Sequence, residues 1–573
     1  MNKISKILDY IKTNPDIILV VLVTLFALIL RLFAIQGIGE MWYDELFTWF
    51  FASQETLKDV IKISLEQDVH MPIFFIMLHY WIQIFNSDTE CMRYLSLIVS
   101  LPLVPCSYYF LKKSFNKTAG AFASIYLSFN TYCIYYSLEV RMYALNLLCS
   151  LLITAGFVMM LDNFEKKHTF LYIIATCVLL YNFTFAPMLA FCYFIIGLVH
   201  VLIRKKDKIK NYLITHLLIA LIALPALLWT FKMFLEVKKT MIYYPLDIFR
   251  YNKFMIVDIL ENFFTKENVQ INLTNYFFYP NLMDKLHDPH YWVFVIIPVI
   301  IALFAIVKAF FSKNERFYTL FLAPLLFFVV IFTSAFFDKA TLQARYLTII
   351  YPAVICGFAF GLSSFKNKIV SWILFIIFMY FNVFGVFSAQ TNIYNMYRGE
   401  SHSFSSIIGH QVKLRTDDFI LNPMSGNKYM YYIKKGIYIP FCIDDAMVIR
   451  EKNSGYFYFG KKFDTLTRDN TKQYLLDEAL QDKIHPTYEQ NFCNKYIKKM
   501  RKGQRIVYIV TSPDFLDPLV KKGLTKDNVK DFSIVDFLYS KVHRDSLLLL
   551  NKHLTLKEEH NISGTLFFIF VKE

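Results

Sequence analysis

Residues 42–98 carry WYDELF (42–47), EQDVHMPIFF (66–75) and MRYLSLI (92–98), three polar and aromatic signatures set among long apolar runs. Asp44, Glu45, Asp68 and His70 are ionisable groups embedded in sequence of membrane grade, where a charge is costly and marks a functional position. The apolar run between them, MPIFFIMLHYWIQIFN at 71–86, decides the topology. As a helix it reaches about 24 Å against a hydrocarbon core of about 30 Å, so it reads as a re-entrant or juxtamembrane helix and not as a span.

Working outward, crossing-length apolar segments lie near 16–36, 91–111, 119–138, 142–161, 212–234, 291–311, 317–336, 344–363 and 368–388. Residues 169–203 are too long for one helix and carry NFTFAP in the middle, which reads as two helices joined by a tight turn at Asn182–Pro187. The sum is about eleven spans. Composition agrees: 56% of the chain is hydrophobic, with 59 Phe and 38 Tyr, which excludes an ordinary soluble protein. The run from Ile17 to Ile35 has no small-residue cleavage site and reads as a retained first span, not a signal peptide.

The net charge of +15 points to membrane topology, not to nucleic acid, because the basic residues sit in short clusters between apolar runs. If 71–86 does not span, Lys112, Lys113, Lys117, Lys166, Lys167, RKKDKIK from 204, Lys313, Arg316, Lys366 and Lys368 all share a side with Lys3, Lys6 and Lys12. That side is cytoplasmic by the positive-inside rule, whereas a spanning 71–86 would put every later cluster outside. The expected protein is a multi-pass one of the inner or plasma membrane with its N-terminus in the cytoplasm. Loops 37–90 and 235–290, the SLEVRMY corner at 137–143, DKATLQAR at 338–345 and residues 391–573 then face the exterior or periplasm.

The chain is thus expected to hold a membrane domain, 1–390, and a soluble C-terminal α/β domain, 391–573. In the latter DFILNP, GIYIPFC, RIVYIVTS and LFFIFV are strand-like and TKQYLLDEAL is helical. The nine cysteines show no CxxC spacing; most sit singly in or beside spans as small apolar fillers, and Cys442 and Cys493 leave one disulfide open. There is no Gly-rich phosphate loop.

Each polar position also has a bland reading. Asp44 and Glu45 could be exposed acids at a helix end, and Asp68 could cap the helix that begins after Met71 and Pro72. Glu139 and Arg141 in SLEVRMY could form an interfacial ion pair, and Arg345 could snorkel from a span end. Set against this, two arginines from distant parts of the chain are what an anionic lipid phosphate requires, because guanidinium grips phosphate with paired hydrogen bonds. Asp44, Glu45, Asp68 and His70, with His287 or His290 of HDPH, supply oxygen and imidazole ligands for a divalent metal ion; the alternative for those two histidines is a solvated or interfacial position.

At these residues the chain resembles the GT-C superfamily of polytopic glycosyltransferases that use polyprenyl-phosphate sugars. Within it the likeness is to the bacterial branch related to protein O-mannosyltransferases and aminoarabinose transferases. The matching elements are WYDE at 42–45, DVHMPIFFIML at 68–78, MRYLSLI at 92–98, YSLEVRMYAL at 136–145 and ARYLTIIYPA at 344–353, with Met71 in place of the usual first proline. The resemblance covers about residues 16–390 and is weak in the tail. It implies a catalytic base at Asp44, a partner acid at Glu45, and donor-phosphate contacts at Arg141 and Arg345. Asp68, His70, Glu139, His287 and His290 are further substrate or metal candidates. The implied reaction is inverting transfer of a sugar from a polyprenyl-phosphate donor to a hydroxyl of a glycan, lipid or protein acceptor in the cell envelope, with no nucleic-acid partner. The rival classes are a lipid-linked-sugar flippase or other transporter, and a non-catalytic exterior receptor; acids gathered on one face disfavour a transporter, whose site is reached from both sides.

Overall fold

The computed structural model describes residues 16–37, 41, 43–240, 259–260, 263–264, 296–336, 344–382, 412, 414–421, 437–438, 448–451, 455–458, 461–462, 486–510, 546–562 and 565–573. These divide into two units, one of residues 1–40, 47–235 and 248–396, the other of 41–46, 236–247 and 397–573.

In the first unit the apolar runs fold as helices whose ends are set by polar side chains and prolines. Among the described residues, Asp16–Gln36, Thr89–Ser114, Tyr143–Asn163, Ala186–Arg204 and Glu315–Ser334 are long and apolar enough to cross a membrane. The chain is therefore that of a multi-pass helical membrane protein. Residues 71–86 form the helix Ile73–Ile84, whose 12 residues reach about 18 Å, too short to span. The long stretch after Thr169 divides as expected, into Lys166–Leu180 and Ala186–Arg204 with a turn between.

Three expected spans are interrupted, each for a local reason. The segment 119–138 breaks at Asn130, whose backbone N–H closes Lys117–Phe129 while its side chain accepts from the Cys133 N–H and starts Thr131–Tyr136. The segment 212–234 bends by 66° between Ile222 and Leu224, where Pro225 has no N–H to give and its ring crowds the preceding turn. The segment 344–363 opens as a 3-10 helix, Ala344–Ile349, before Pro352 begins Tyr351–Ser363 in the first turn, where a missing N–H costs nothing. Two further helices, Tyr43–Ala52 and Leu57–Gln67, fill what the sequence presents as a loop; Thr56 caps the second by accepting from the Asp59 N–H.

The basic helix ends lie together at one end of this unit. Lys112 and Tyr108 both donate to Asp16, Arg316 reaches Asp162 at 3.0 Å and the Ser114 carbonyl at 2.8 Å, and Arg204 pairs with Glu315 at 3.3 Å. Small residues let helices close up: a Cβ on Gly361 would overlap the Ala305 carbonyl, and one on Gly156 would press on the Tyr172 backbone. Residues 68–70 belong to the other helix ends of this unit, together with the 137–142, 181–185 and 344–350 turns.

The second unit contains a five-stranded sheet in the order β2 (Ile437–Tyr438), β1 (Phe419–Leu421), β6 (Arg505–Val510), β8 (Thr565–Val571), β7 (Thr555–Ile562). β2, β1 and β6 run parallel, whereas β6, β8 and β7 pair antiparallel. Ile506, Tyr508 and Val510 pack with Phe568 and Phe570 on one face, and Val507 and Ile509 with Phe567 and Ile569 on the other. Burial on both faces explains the unbroken apolar run RIVYIV. A buried, bidentate pair from Arg505 to Asp418, at 2.7 and 2.5 Å, fixes β1 beside β6. β3 (Val448–Glu451), β4 (Gly455–Tyr458) and β5 (Lys461–Lys462) form a separate antiparallel sheet. TKQYLLDEAL, Cys442, His287 and His290 lie outside the described residues.

Candidate active site

The SLEVRMY corner is shaped by the break at Asn130. After Thr131–Tyr136 the chain turns through residues 137–142 before Tyr143–Asn163 begins. The Glu139 N–H bonds the Tyr135 carbonyl at 3.1 Å, and the Arg141 N–H closes on the Glu139 carbonyl at 2.7 Å, a three-residue turn. The corner is then pinned from two sides, by Ser96 donating to the Glu139 carbonyl at 2.8 Å and by Arg31 donating to Ser137 Oγ at 2.9 Å. Glu139 and Arg141 are consequently buried, at 5% and 6% exposure.

From this corner Arg141 Nη1 donates to Thr48 Oγ1 at 3.1 Å and to Asp68 Oδ2 at 3.3 Å. Asp68 comes to meet it because Leu57–Gln67 ends there, its N–H still bonded to the Ser64 carbonyl and its backbone already extended. The other carboxylate oxygen accepts the His70 N–H at 2.8 Å, the two-residue reach typical of an Asx turn. Asp68 is therefore not the cap of the next helix: Ile73–Ile84 starts after Pro72 with no side-chain cap. It is the joint between the DVH motif and Arg141.

His70 is buried and stacks on Phe183, ring centroids 5.0 Å apart and planes 10° apart. Its Nδ1 lies 3.0 Å from Thr184 Oγ1, whose hydroxyl also meets the Val69 carbonyl. Phe183 and Phe185 flank Tyr346, at 6.4 and 5.1 Å, and the Arg345 guanidinium sits 5.6 Å over the Tyr346 ring. A row of aromatic rings thus connects His70 to Arg345. Arg345 is half-buried on Ala344–Ile349, a segment held by Tyr132, whose hydroxyl donates to the Ala344 carbonyl at 2.6 Å.

Asp44 and Glu45 occupy the first turn of Tyr43–Ala52, where the exposed N–H groups of a helix favour acids. Asp44 is half-buried and Glu45 only 2% exposed, so neither is a solvated surface acid. Thr48, which Arg141 contacts, follows Asp44 by one helical turn. The far end of this helix is tied down by His79, whose Nδ1 meets the Ala52 carbonyl at 2.8 Å.

The sequence-derived residues Asp68, His70 and Arg141 are therefore joined directly, and Arg345 is linked to them through rings. Thr48, Phe183 and Thr184 complete the arrangement and were not singled out from sequence. Thr48 carried a signal, its one-turn spacing from Asp44; Phe183 and Thr184 look like ordinary turn residues of NFTFAP. Among the described residues no group of three or more His, Cys, Asp or Glu side chains is placed to hold a metal ion, and the two oxygens of Asp68 accept from the His70 N–H and from Arg141.

No protein-family profile matches the chain, and no curated protein matches it in sequence. Among solved structures it is similar to ArnT from Cupriavidus metallidurans bound to undecaprenyl phosphate, at 11% identity and a TM-score of 0.52, over 96% of this chain and 97% of that one. The apo form of the same protein gives 10% identity and a TM-score of 0.54, over 97% and 98%. Over nearly its whole length, then, the chain has the fold found in ArnT.

Proposed function

We propose that this protein is an inverting glycosyltransferase that moves a sugar from a polyprenyl-phosphate donor to an acceptor hydroxyl at the exterior face of the membrane. The observation that carries the reading is Arg141: a buried arginine held on Asp68 and on Thr48, one turn after the acids of WYDE, within a fold whose solved example binds undecaprenyl phosphate. An arginine kept rigid at a helix-end cluster is suited to a lipid phosphate arriving laterally from the bilayer.

In this reading the polyprenyl tail lies among the apolar helices and Arg141 and Arg345 receive the phosphate. Asp44 removes the proton from the acceptor hydroxyl as its oxygen bonds to the anomeric carbon; the bond from that carbon to the phosphate oxygen breaks, and the arginines stabilise the departing polyprenyl phosphate. A single displacement inverts the anomeric centre. Glu45, the next residue and buried, is the partner acid. Asp68 and Thr48 orient Arg141. The gathering of basic helix ends at one end of the first unit supports a cytoplasmic placement of that end.

Purified protein incubated with a labelled undecaprenyl-phosphate sugar tests the reading. A transferase releases undecaprenyl phosphate when an acceptor is present; a flippase moves the intact donor between leaflets of a liposome without cleaving it. Leaflet exchange with no release would replace the proposal by the transporter.

A further inference from the structure

Three side chains outside the contacts just described form a continuous buried chain. Asn182 Nδ2 donates to the Met142 carbonyl at 3.2 Å and to Asn146 Oδ1 at 2.8 Å. Asn146 Nδ2 in turn reaches Thr348 Oγ1 at 3.4 Å, and the Thr348 hydroxyl donates to the Arg345 carbonyl at 2.9 Å. All three residues are fully buried. The direction is fixed from one end, because a backbone carbonyl can only accept: Met142 forces the Asn182 amide nitrogen inward, and each later orientation follows. Bonds aligned this way polarise one another in a low dielectric, so the chain behaves as one unit.

What the chain joins gives it meaning. Met142 is the residue after Arg141; Asn182 is the residue before Phe183 and Thr184, the partners of His70; Thr348 anchors the carbonyl of Arg345. Three segments far apart in sequence are thus registered by a buried polar set that is costly to leave half-made. Core packing needs no such set, since apolar residues of the same shape would fill the space without polar atoms to satisfy.

We propose that Asn182, Asn146 and Thr348 are positioning residues that set Arg345 relative to Arg141 and the His70 arm, and that they thereby tune affinity for the donor's phosphate without touching it. The inference rests on the proposed function for its ligand but not for its geometry. Thr348→Val keeps the shape and removes the hydroxyl; Thr348→Ser keeps the hydroxyl. Undecaprenyl phosphate alone, titrated into the purified full chain, should bind Thr348→Val about tenfold more weakly than wild type, the scale of one lost hydrogen bond. Thr348→Ser should restore binding to within about twofold, and turnover at saturating donor should change far less than KM. Equal affinity of a folded Thr348→Val and wild type overturns the proposal. Hydrogen exchange separates the two readings: amides of residues 344–350 should exchange faster in Thr348→Val than in Thr348→Ser. If wild type binds no undecaprenyl phosphate but this difference holds, the positioning role stands and the ligand assignment falls; unchanged exchange overturns the positioning role whatever the ligand.

Discussion

Asp68→Asn probes the joint of the site. The two side chains of the Arg141–Asp68 pair are 7% and 9% exposed, so solvent does not screen them as it would a surface pair. Breaking a buried pair at one partner costs about 3–5 kcal/mol. The expectation is lower here, because the contact is 3.3 Å long and Thr48 still accepts from the same guanidinium nitrogen at 3.1 Å. Asn also keeps an oxygen for the His70 N–H, so the turn survives, while its new amide hydrogens face a donor. About 2 kcal/mol is therefore expected, in line with a hydrogen bond to a charged group. A double-mutant cycle with Arg141→Met, read by reversible unfolding in mixed micelles, isolates the pair. A coupling under about 0.5 kcal/mol would refute the argument that Asp68 fixes Arg141.

Three further expectations follow from the same geometry. Arg345→Ala removes a half-buried cation from the proposed phosphate site, so undecaprenyl phosphate should bind about tenfold or more weakly while the unfolding midpoint hardly moves; unchanged affinity would return Arg345 to a boundary residue. Arg31→Met strips donors from the Leu127 and Ser128 carbonyls at the helix break and from Ser137, and should cost about 2 kcal/mol in the same unfolding assay, with Arg31→Lys intermediate; a wild-type midpoint in Arg31→Met would show that the corner holds without it. A topology reporter inserted after Lys113 should read cytoplasmic and one after residue 400 exterior, and the opposite pair of readings would invert the placement of the site.

How much of this was legible depended on whether the signal was local. Among the described residues, length and hydropathy located five helices that are long and apolar enough to cross, against about eleven expected, because a bilayer imposes a minimum apolar run; the short 71–86 segment falls below it and folds as a 12-residue helix. The break at Asn130 was not foreseen: an asparagine within apolar sequence becomes a cap only when its side chain turns onto Cys133 and Arg31 takes the carbonyls left behind. Tyr43–Ala52 and Leu57–Gln67, of 10 and 11 residues, are too short to span, so hydropathy alone leaves them within the exterior loop 37–90. In the site, Asp68 and Arg141 each stood out, but their pairing spans 73 positions and needs the fold to create it. Asn146, Asn182 and Thr348 gave no signal at all, since a polar residue in a helix or turn is unremarkable until its partner is known. In the second unit RIVYIV and LFFIFV declared themselves by their apolar runs, whereas β7, with LKEEH along an edge, reads as a polar loop.

Asp44→Asn tests the central claim most directly. Asn preserves size and hydrogen bonding while removing basicity, so the variant should insert and unfold as wild type does. Release of undecaprenyl phosphate from a labelled undecaprenyl-phosphate sugar in the presence of acceptor should fall by about 10²-fold or more, the scale of general-base catalysis, with Glu45→Gln losing less. Near-full release by Asp44→Asn, with activity abolished instead in Glu45→Gln or Asp68→Asn, would contradict the account and move the base to another carboxylate.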